Sequence, residues 1–284
     1  MRLIGLTGSI ATGKSTCSST LSSPPYSLPI IDADILARRA VEPGTWGYGR
    51  IVSTFGPTTP DLLLPASDPV CGGREDGPNG KGRPLNRPAL GRRVFGNSEE
   101  RTADRKKLNK IVHPAVRFYM ARSILYYWLT GNWAVVLDIP LLFESGLDIF
   151  CSTVVVVAVS DPVIQMKRLR ERDSHLSEED AGNRVKSQVD VREKAKKAEF
   201  RNGGDPTSGR GYVLYNDGSK EELKLQIKDV MKKIRQGSPK WWSWLLLLCP
   251  PLTGGVVGWE VWRSWVQKSR WEKERGTELP KPKL

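Results

Sequence analysis

Residues 2–16 read RLIGLTGSIATGKST, and the fold follows from them. Arg2 to Thr7 make a short apolar run, as a buried strand does. Gly8 to Ser15 then satisfies the phosphate-loop pattern G-x-x-x-x-G-K-[ST]. Gly8 and Gly13 let the backbone turn tightly and bring its N–H groups to anionic oxygens. Lys14 starts a helix-compatible stretch that runs to Leu21, so the positive end of that helix faces the same anion. Gly8, Ser9, Ile10, Ala11, Thr12, Gly13, Lys14, Ser15 and Thr16 form the candidate nucleotide-binding stretch. Lys14 suits β- and γ-phosphates, and the Ser15 hydroxyl suits Mg²⁺. A glycine-rich turn with an unrelated lysine is the blander alternative; the strand before and the helix after favour the phosphate loop.

The chain has 284 residues, enough for one sizeable domain with attachments, and a net charge of +13. Such a charge suits an anionic lipid or a substrate with several phosphates, or is a solvated basic surface. No nucleic-acid-binding signature accompanies it, so nucleic acid is not an expected partner. Cys17, Cys71, Cys151 and Cys249 are far apart and make no metal-ligand spacing. A reduced, intracellular compartment is expected. The early phosphate loop leaves no room for a cleavable leader that spares it.

Beyond the first helix, Pro29-Ile30-Ile31 reads as a second strand, ending at Asp32 and Asp34. Open α/β sheets bind ligands at the carboxyl ends of their strands, so Asp34 is a candidate functional residue, although either aspartate suits a helix cap. Residues 56–83 are rich in Gly, Pro and Asp and read as a surface insertion, as do residues 201–211. His113-Pro114 is expected to end the helix that starts at Glu99 and to start a second one reaching Leu129. Trp133 to Pro140 is a third strand with Asp138 at its end, the place of a metal-supporting carboxylate. Thr153 to Val159 is a fourth, and Tyr212 to Tyr215 a fifth. The alternation of strands and helices predicts a doubly wound α/β domain. Arg168 and Arg172, four apart on a helix opened by Asp161-Pro162, share one face. Ser177-Glu-Glu-Asp180 reads as a capping box for the next helix.

Taken in order, LIGLTG with its phosphate loop, Ile31-Asp-Ala-Asp34-Ile-Leu-Ala-Arg38, Ile111-Val-His113-Pro114, Leu137-Asp138-Ile-Pro-Leu-Leu-Phe-Glu144-Ser-Gly146-Leu, Gln165 with Arg168 to Asp173, and Asn216-Asp-Gly-Ser219 resemble the dephospho-CoA kinase family over residues 1–235. The resemblance implies a P-loop NTPase fold: an α/β domain with a five-stranded parallel sheet, a helical region for the CoA moiety and a lid. It implies phosphoryl transfer from ATP, with Mg²⁺, to the 3′-hydroxyl of dephospho-CoA. It makes Asp34 the general base, Lys14 and the loop the phosphate holders, and Arg172 and Arg168 the clamp. Ser15 and Asp138 become metal residues, Asn216 and Gly218 the adenine pocket, and Thr7, Asp34 and His113 the acceptor side. The loop interior Ser-Ile-Ala-Thr departs from the family, which more often has a further glycine there. Another nucleoside or small-molecule kinase on the same scaffold stays open. So does a nucleotide-dependent membrane switch without turnover, against which Lys14, Asp34 and Asp138 argue.

Residues 241–259 carry no charge, and seven of the ten tryptophans lie between Trp241 and Trp271. As one helix these residues would span about 28 Å, near the roughly 30 Å hydrocarbon core of a bilayer. An apolar C-terminal extension over 241–266 is therefore expected to associate with an internal membrane, as a transmembrane helix or a re-entrant hairpin broken at Pro250-Pro251. The kinase domain would face the cytoplasm, and residues 267–284 would be a basic tail. Oligomeric state is not legible.

Overall fold

Five apolar runs become five strands: β1 Arg2–Gly8, β2 Ile30–Asp32, β3 Ala134–Asp138, β4 Thr153–Ala158 and β5 Gly211–Tyr215. They form one parallel sheet in the order β2-β3-β1-β4-β5. Every residue of β3 and β4 is buried, as expected of strands covered on both faces. The computed structural model describes residues 1–71, 82–96, 98–173, 191–203, 208–237 and 245–278. The predicted capping box at Ser177–Asp180 lies outside the described residues.

The chain divides into two units, Met1–Ile31 with Tyr126–Leu284, and Asp32–Leu125. In the first, α1 Lys14–Ser22 and α8 Lys220–Gln236 cover the sheet. Cys17 and Leu21 of α1 and Leu223, Ile227, Val230 and Ile234 of α8 pack with Ile4, Leu6, Val136, Val155 and Val157 of the strands. Each such side chain, fully buried, contributes about 1.5–3 kcal/mol. The same unit holds α6 Pro162–Arg172, α7 Val191–Phe200 and α9 Pro250–Glu278. Asp161 caps α6 by accepting from the Val163 amide, as its position before Pro162 predicts.

The second unit contains α2 Ala33–Arg39, α3 Trp46–Phe55, α4 Arg87–Val94 and most of α5 Glu99–Leu129. Its core joins Tyr48, Ile51 and Phe55 of α3 to Leu90 and Val94 of α4 and Ile111 of α5. Leu62 and Cys71, inside the stretch expected to be a surface insertion, are buried here. Residues 72–81 of that stretch lie outside the described residues. The expected break at His113-Pro114 does not occur, since Pro114 lies inside the single helix α5. Ile111 and Ala115, buried on either side of it, anchor the helix across the missing hydrogen bond.

The C-terminal stretch requires a correction. Among the described residues no helix is long and apolar enough to cross a membrane. The expected transmembrane helix, the membrane association through 241–266 and the internal-membrane localisation are therefore overturned. So is the apolar membrane extension of the fold class. Pro250 and Pro251 break no span; they open α9, where a missing N–H is harmless. Past Trp259, α9 carries Glu260, Arg263, Lys268 and Arg270. It packs within the first unit through polar groups: Arg210 Nη2 donates to Ser264 Oγ at 2.7 Å, and Gln267 Nε2 to the Arg201 carbonyl at 2.8 Å. The Trp271 ring meets Phe200 edge-on at 5.2 Å. Trp241, Trp242 and Trp244, three of the seven C-terminal tryptophans, lie outside the described residues.

Candidate active site

Register brings the site together. Leu6 of β1 lies opposite Asp138 of β3, so the aspartate stands beside the end of the strand that feeds the phosphate loop. Lys14, in the first turn of α1, reaches it: Nζ donates to Asp138 Oδ1 at 2.5 Å. The carboxylate is 5% exposed and the lysine side chain 18%. α1 is capped by Gly13, in the left-handed region at φ 95°, which offers its first amides no side chain, and no acidic residue stands in its first turn. These amides and the helix dipole form a positive end. Ser15 is exposed on that turn and Thr16 is half-buried.

The loop backbone is crowded by design of sequence. A Cβ at Gly8 would lie 2.6 Å from the Val157 carbonyl oxygen, and one at Gly13 would lie 2.3 Å from Asn216 Nδ2. Thr12 Oγ1 donates to the Ser9 carbonyl at 2.9 Å and closes the loop on itself. Asn216 Nδ2 donates to the Thr12 carbonyl at 2.9 Å, and Gln165 Nε2 to the Ile10 carbonyl at 2.7 Å. The loop is therefore held from the turn after β5 and from α6. Ala11 sits at φ 60°, where a Cβ is strained. Beneath, burial pushes the Cys17 thiol up to about 12, so it stays protonated.

The other predicted residues fall as follows. Thr7 is fully buried, and its hydroxyl donates to the Pro140 carbonyl at 2.9 Å. Arg168 Nη1 donates to the Asn216 carbonyl at 2.5 Å and Nη2 to that of Gly218 at 3.3 Å. It thus fixes the turn after β5, on which Gly218 is exposed. Arg172, at the end of α6, pairs with Asp173 at 3.0 Å, and that hydrogen bond raises its already high pKa. In the second unit, Asp32 caps α2, accepting from the amides of Asp34 and Ile35 at 2.7 and 3.1 Å. The capping role expected of one of the two aspartates falls to Asp32, and the Asp34 carboxylate is exposed in the first turn of α2. His113 is exposed on α5.

Among the described residues no three His, Cys, Asp or Glu side chains cluster to make a metal cage. Mg²⁺ keeps several waters and takes one or two protein oxygens plus substrate phosphates. Asp138 and Ser15 offer side-chain oxygens of that kind, the first beside Lys14 and the second exposed in the first turn of α1. Gln165, part of the motif that carries the resemblance, holds the loop through the Ile10 carbonyl; Lys194 is in sequence one lysine in a basic run.

A parallel sheet with this loop after its first strand, and a lysine–aspartate pair at the loop's mouth, defines a P-loop phosphotransferase. The family model described as dephospho-CoA kinase matches residues 2–65 and 77–204. The dephospho-CoA kinase CAB5 of Saccharomyces cerevisiae is 42% identical over 235 residues, 83% of either chain. That of Bacillus cereus is 43% identical over 230 residues, 81% of this chain and 96% of its own. The solved dephospho-CoA kinase from Campylobacter jejuni superposes with a TM-score of 0.57 at 25% identity, covering 84% of this chain and 99% of its own. The chain belongs to the dephospho-CoA kinase family. Its reaction is the ATP-dependent phosphorylation of dephospho-CoA to CoA, with Mg²⁺ as the accompanying ion.

Proposed function

We propose the following division of labour for that reaction. The loop amides from Gly8 to Thr16 and the Lys14 ammonium hold the ATP phosphates. Ser15 and Asp138 hold Mg²⁺, which when bound offsets charge on the phosphate oxygens. Asp34 orients the ribose 3′-hydroxyl of dephospho-CoA and takes its proton, with Thr7 and His113 on the acceptor side. Arg172 closes on the transferring phosphoryl group. Arg168, through its two carbonyl bonds, holds Asn216 and Gly218 as the wall of the adenine pocket. The kinase part runs over residues 1–235.

The observation that carries the reading is the 2.5 Å pair between Lys14 and Asp138 at the start of a helix with no side-chain cap. It sets a cation for phosphate and an anion for metal side by side. A loose phosphoryl-transfer transition state asks mainly for such positioning and charge.

The base assignment has a direct test: ADP release by the full chain with dephospho-CoA, comparing Asp34→Asn with the unaltered protein. Loss of a general base lowers turnover by about 10²–10⁴-fold. Binding of a fluorescent ATP analogue is expected to stay within about threefold, because Asp34 is given no part in holding the nucleotide. Undiminished turnover in Asp34→Asn would remove Asp34 from this role. Adenosine and nucleoside monophosphates serve as control acceptors and should release no ADP.

A further inference from the structure

Lys194 is among the largest fully buried side chains of the protein, 1% exposed. A lysine in that position is costly unless its ammonium is paired and hydrogen-bonded. Here Nζ donates to the Pro140 carbonyl at 2.9 Å and pairs with Glu144 Oε1 at 2.9 Å. The Pro140 carbonyl receives a second donor, the Thr7 hydroxyl, also at 2.9 Å. One carbonyl is thus gripped from β1, one residue before the phosphate loop, and from α7. The grip is applied two residues after Asp138. The Ile139 amide completes it by bonding the Leu6 carbonyl at 3.0 Å. A second lysine of α7, Lys197, lies 4.8 Å from the centre of the Phe143 ring on the same loop.

We propose that Lys194 is a positioning residue for the reaction. It pins the segment Pro140–Glu144 so that the Asp138 carboxylate keeps its place against Lys14 and toward Mg²⁺. The inference rests on the reading of Asp138 as a metal residue. Lys194 touches neither nucleotide phosphate nor acceptor; it acts through the Pro140 carbonyl. Groups that orient a metal-holding side chain from behind typically matter 10–100-fold.

Four full-length variants test this: Lys194→Met, Lys194→Met with Glu144→Gln, Asp138→Asn, and the last two combined. The double variant removes the buried ammonium together with its part-exposed carboxylate partner, so neither charge is left without the other. Two quantities are read. One is kcat for ADP release. The other, without turnover, is the Mg²⁺ concentration that half-saturates binding of a fluorescent ATP analogue. For the double variant we expect kcat to fall about 10–100-fold and the Mg²⁺ half-point to rise about tenfold. Nucleotide binding without Mg²⁺ should change less than about twofold, because the phosphate loop is not altered. With all three substitutions combined, the losses should match those of Asp138→Asn alone within about twofold, since residues that act through one another are not additive. A Mg²⁺ half-point unchanged in the double variant but raised in Asp138→Asn would overturn the role of Lys194. A half-point unchanged in Asp138→Asn itself would instead overturn the metal reading beneath it.

Discussion

Lys14 and Asp138, 124 residues apart in sequence, form a 2.5 Å ion pair whose two members differ in their access to water. The Lys14 side chain is 18% exposed and that of Asp138 5%. Deleting either partner should abolish turnover, but the stability costs should differ. Lys14→Met strands a buried carboxylate and should cost about 3 kcal/mol, whereas Asp138→Asn leaves a lysine that reaches solvent and should cost about 1 kcal/mol. Urea midpoints of the two variants decide it; equal losses would show that the pair is screened.

Ala11 offers a gain. Its φ of 60° lies in the left-handed region, where a Cβ costs about 1–2 kcal/mol. Glycine has no such penalty but loses more chain entropy on folding, about 0.5–1 kcal/mol. Ala11→Gly is therefore expected to stabilise by up to about 1 kcal/mol, seen as a higher thermal midpoint. Turnover should stay within about twofold, because the loop amides keep their directions.

Acid should loosen the second unit through Asp104. This α5 carboxylate, 3% exposed, bonds Lys107 Nζ at 2.9 Å and faces Arg93 Nε of α4 at 2.7 Å. The Lys107 bond, opposed by burial and helped by Arg93, holds its pKa below the ordinary carboxylate value. The folded state thus binds the proton less readily than the unfolded chain. Its stabilisation is complete above the unfolded value, about 3.9, and is lost as pH falls through the lower folded value. Asp104→Asn should cost about 2 kcal/mol at neutral pH and flatten the fall in stability below pH about 4. Chemical unfolding at a series of pH values measures both.

The seat of α9 rests on Arg210. Its guanidinium is buried, bonds Ser264 at 2.7 Å and lies 3.4 Å from Glu260. Burial, opposed by Glu260, pushes it down to about 10. Ser264→Ala leaves a buried donor without its acceptor and should cost about 1–3 kcal/mol. Arg210→Met removes the charge while keeping the stem and should cost less. The thermal midpoint ranks the two; the reverse order would mean that the Arg210 charge, paired with Glu260, contributes more than the bond to Ser264.

Most of the sheet was readable along the chain, for a local reason. Runs such as Thr153–Ala158 are apolar and β-branched because both faces of the strand are covered, and that demand is written residue by residue. Gly8, Gly13 and Lys14 were equally legible, since close backbone approach to phosphate needs those residue types at that spacing. Asp32 and Asp34 were visible as a pair, yet which one caps α2 depended on the backbone angle at the end of β2. Pro114 suggested a break because a local rule has no knowledge of Ile111 and Ala115, whose burial keeps α5 whole.

What the sequence by itself determined was the α/β class, the phosphate loop and, through its ordered motifs, the family. These depend on short-range patterns of apolarity and turn chemistry. What only the tertiary structure decided depends on partners far apart in the chain. Lys194 is one basic residue in a basic run until folding puts it 2.9 Å from Pro140 and Glu144. The C-terminal stretch has a membrane-like composition around Trp241–Trp259, but Ser264, Gln267 and Trp271 meet Arg210, Arg201 and Phe200 only once the chain has folded. Composition records how apolar a segment is; three-dimensional packing decides which surface it covers.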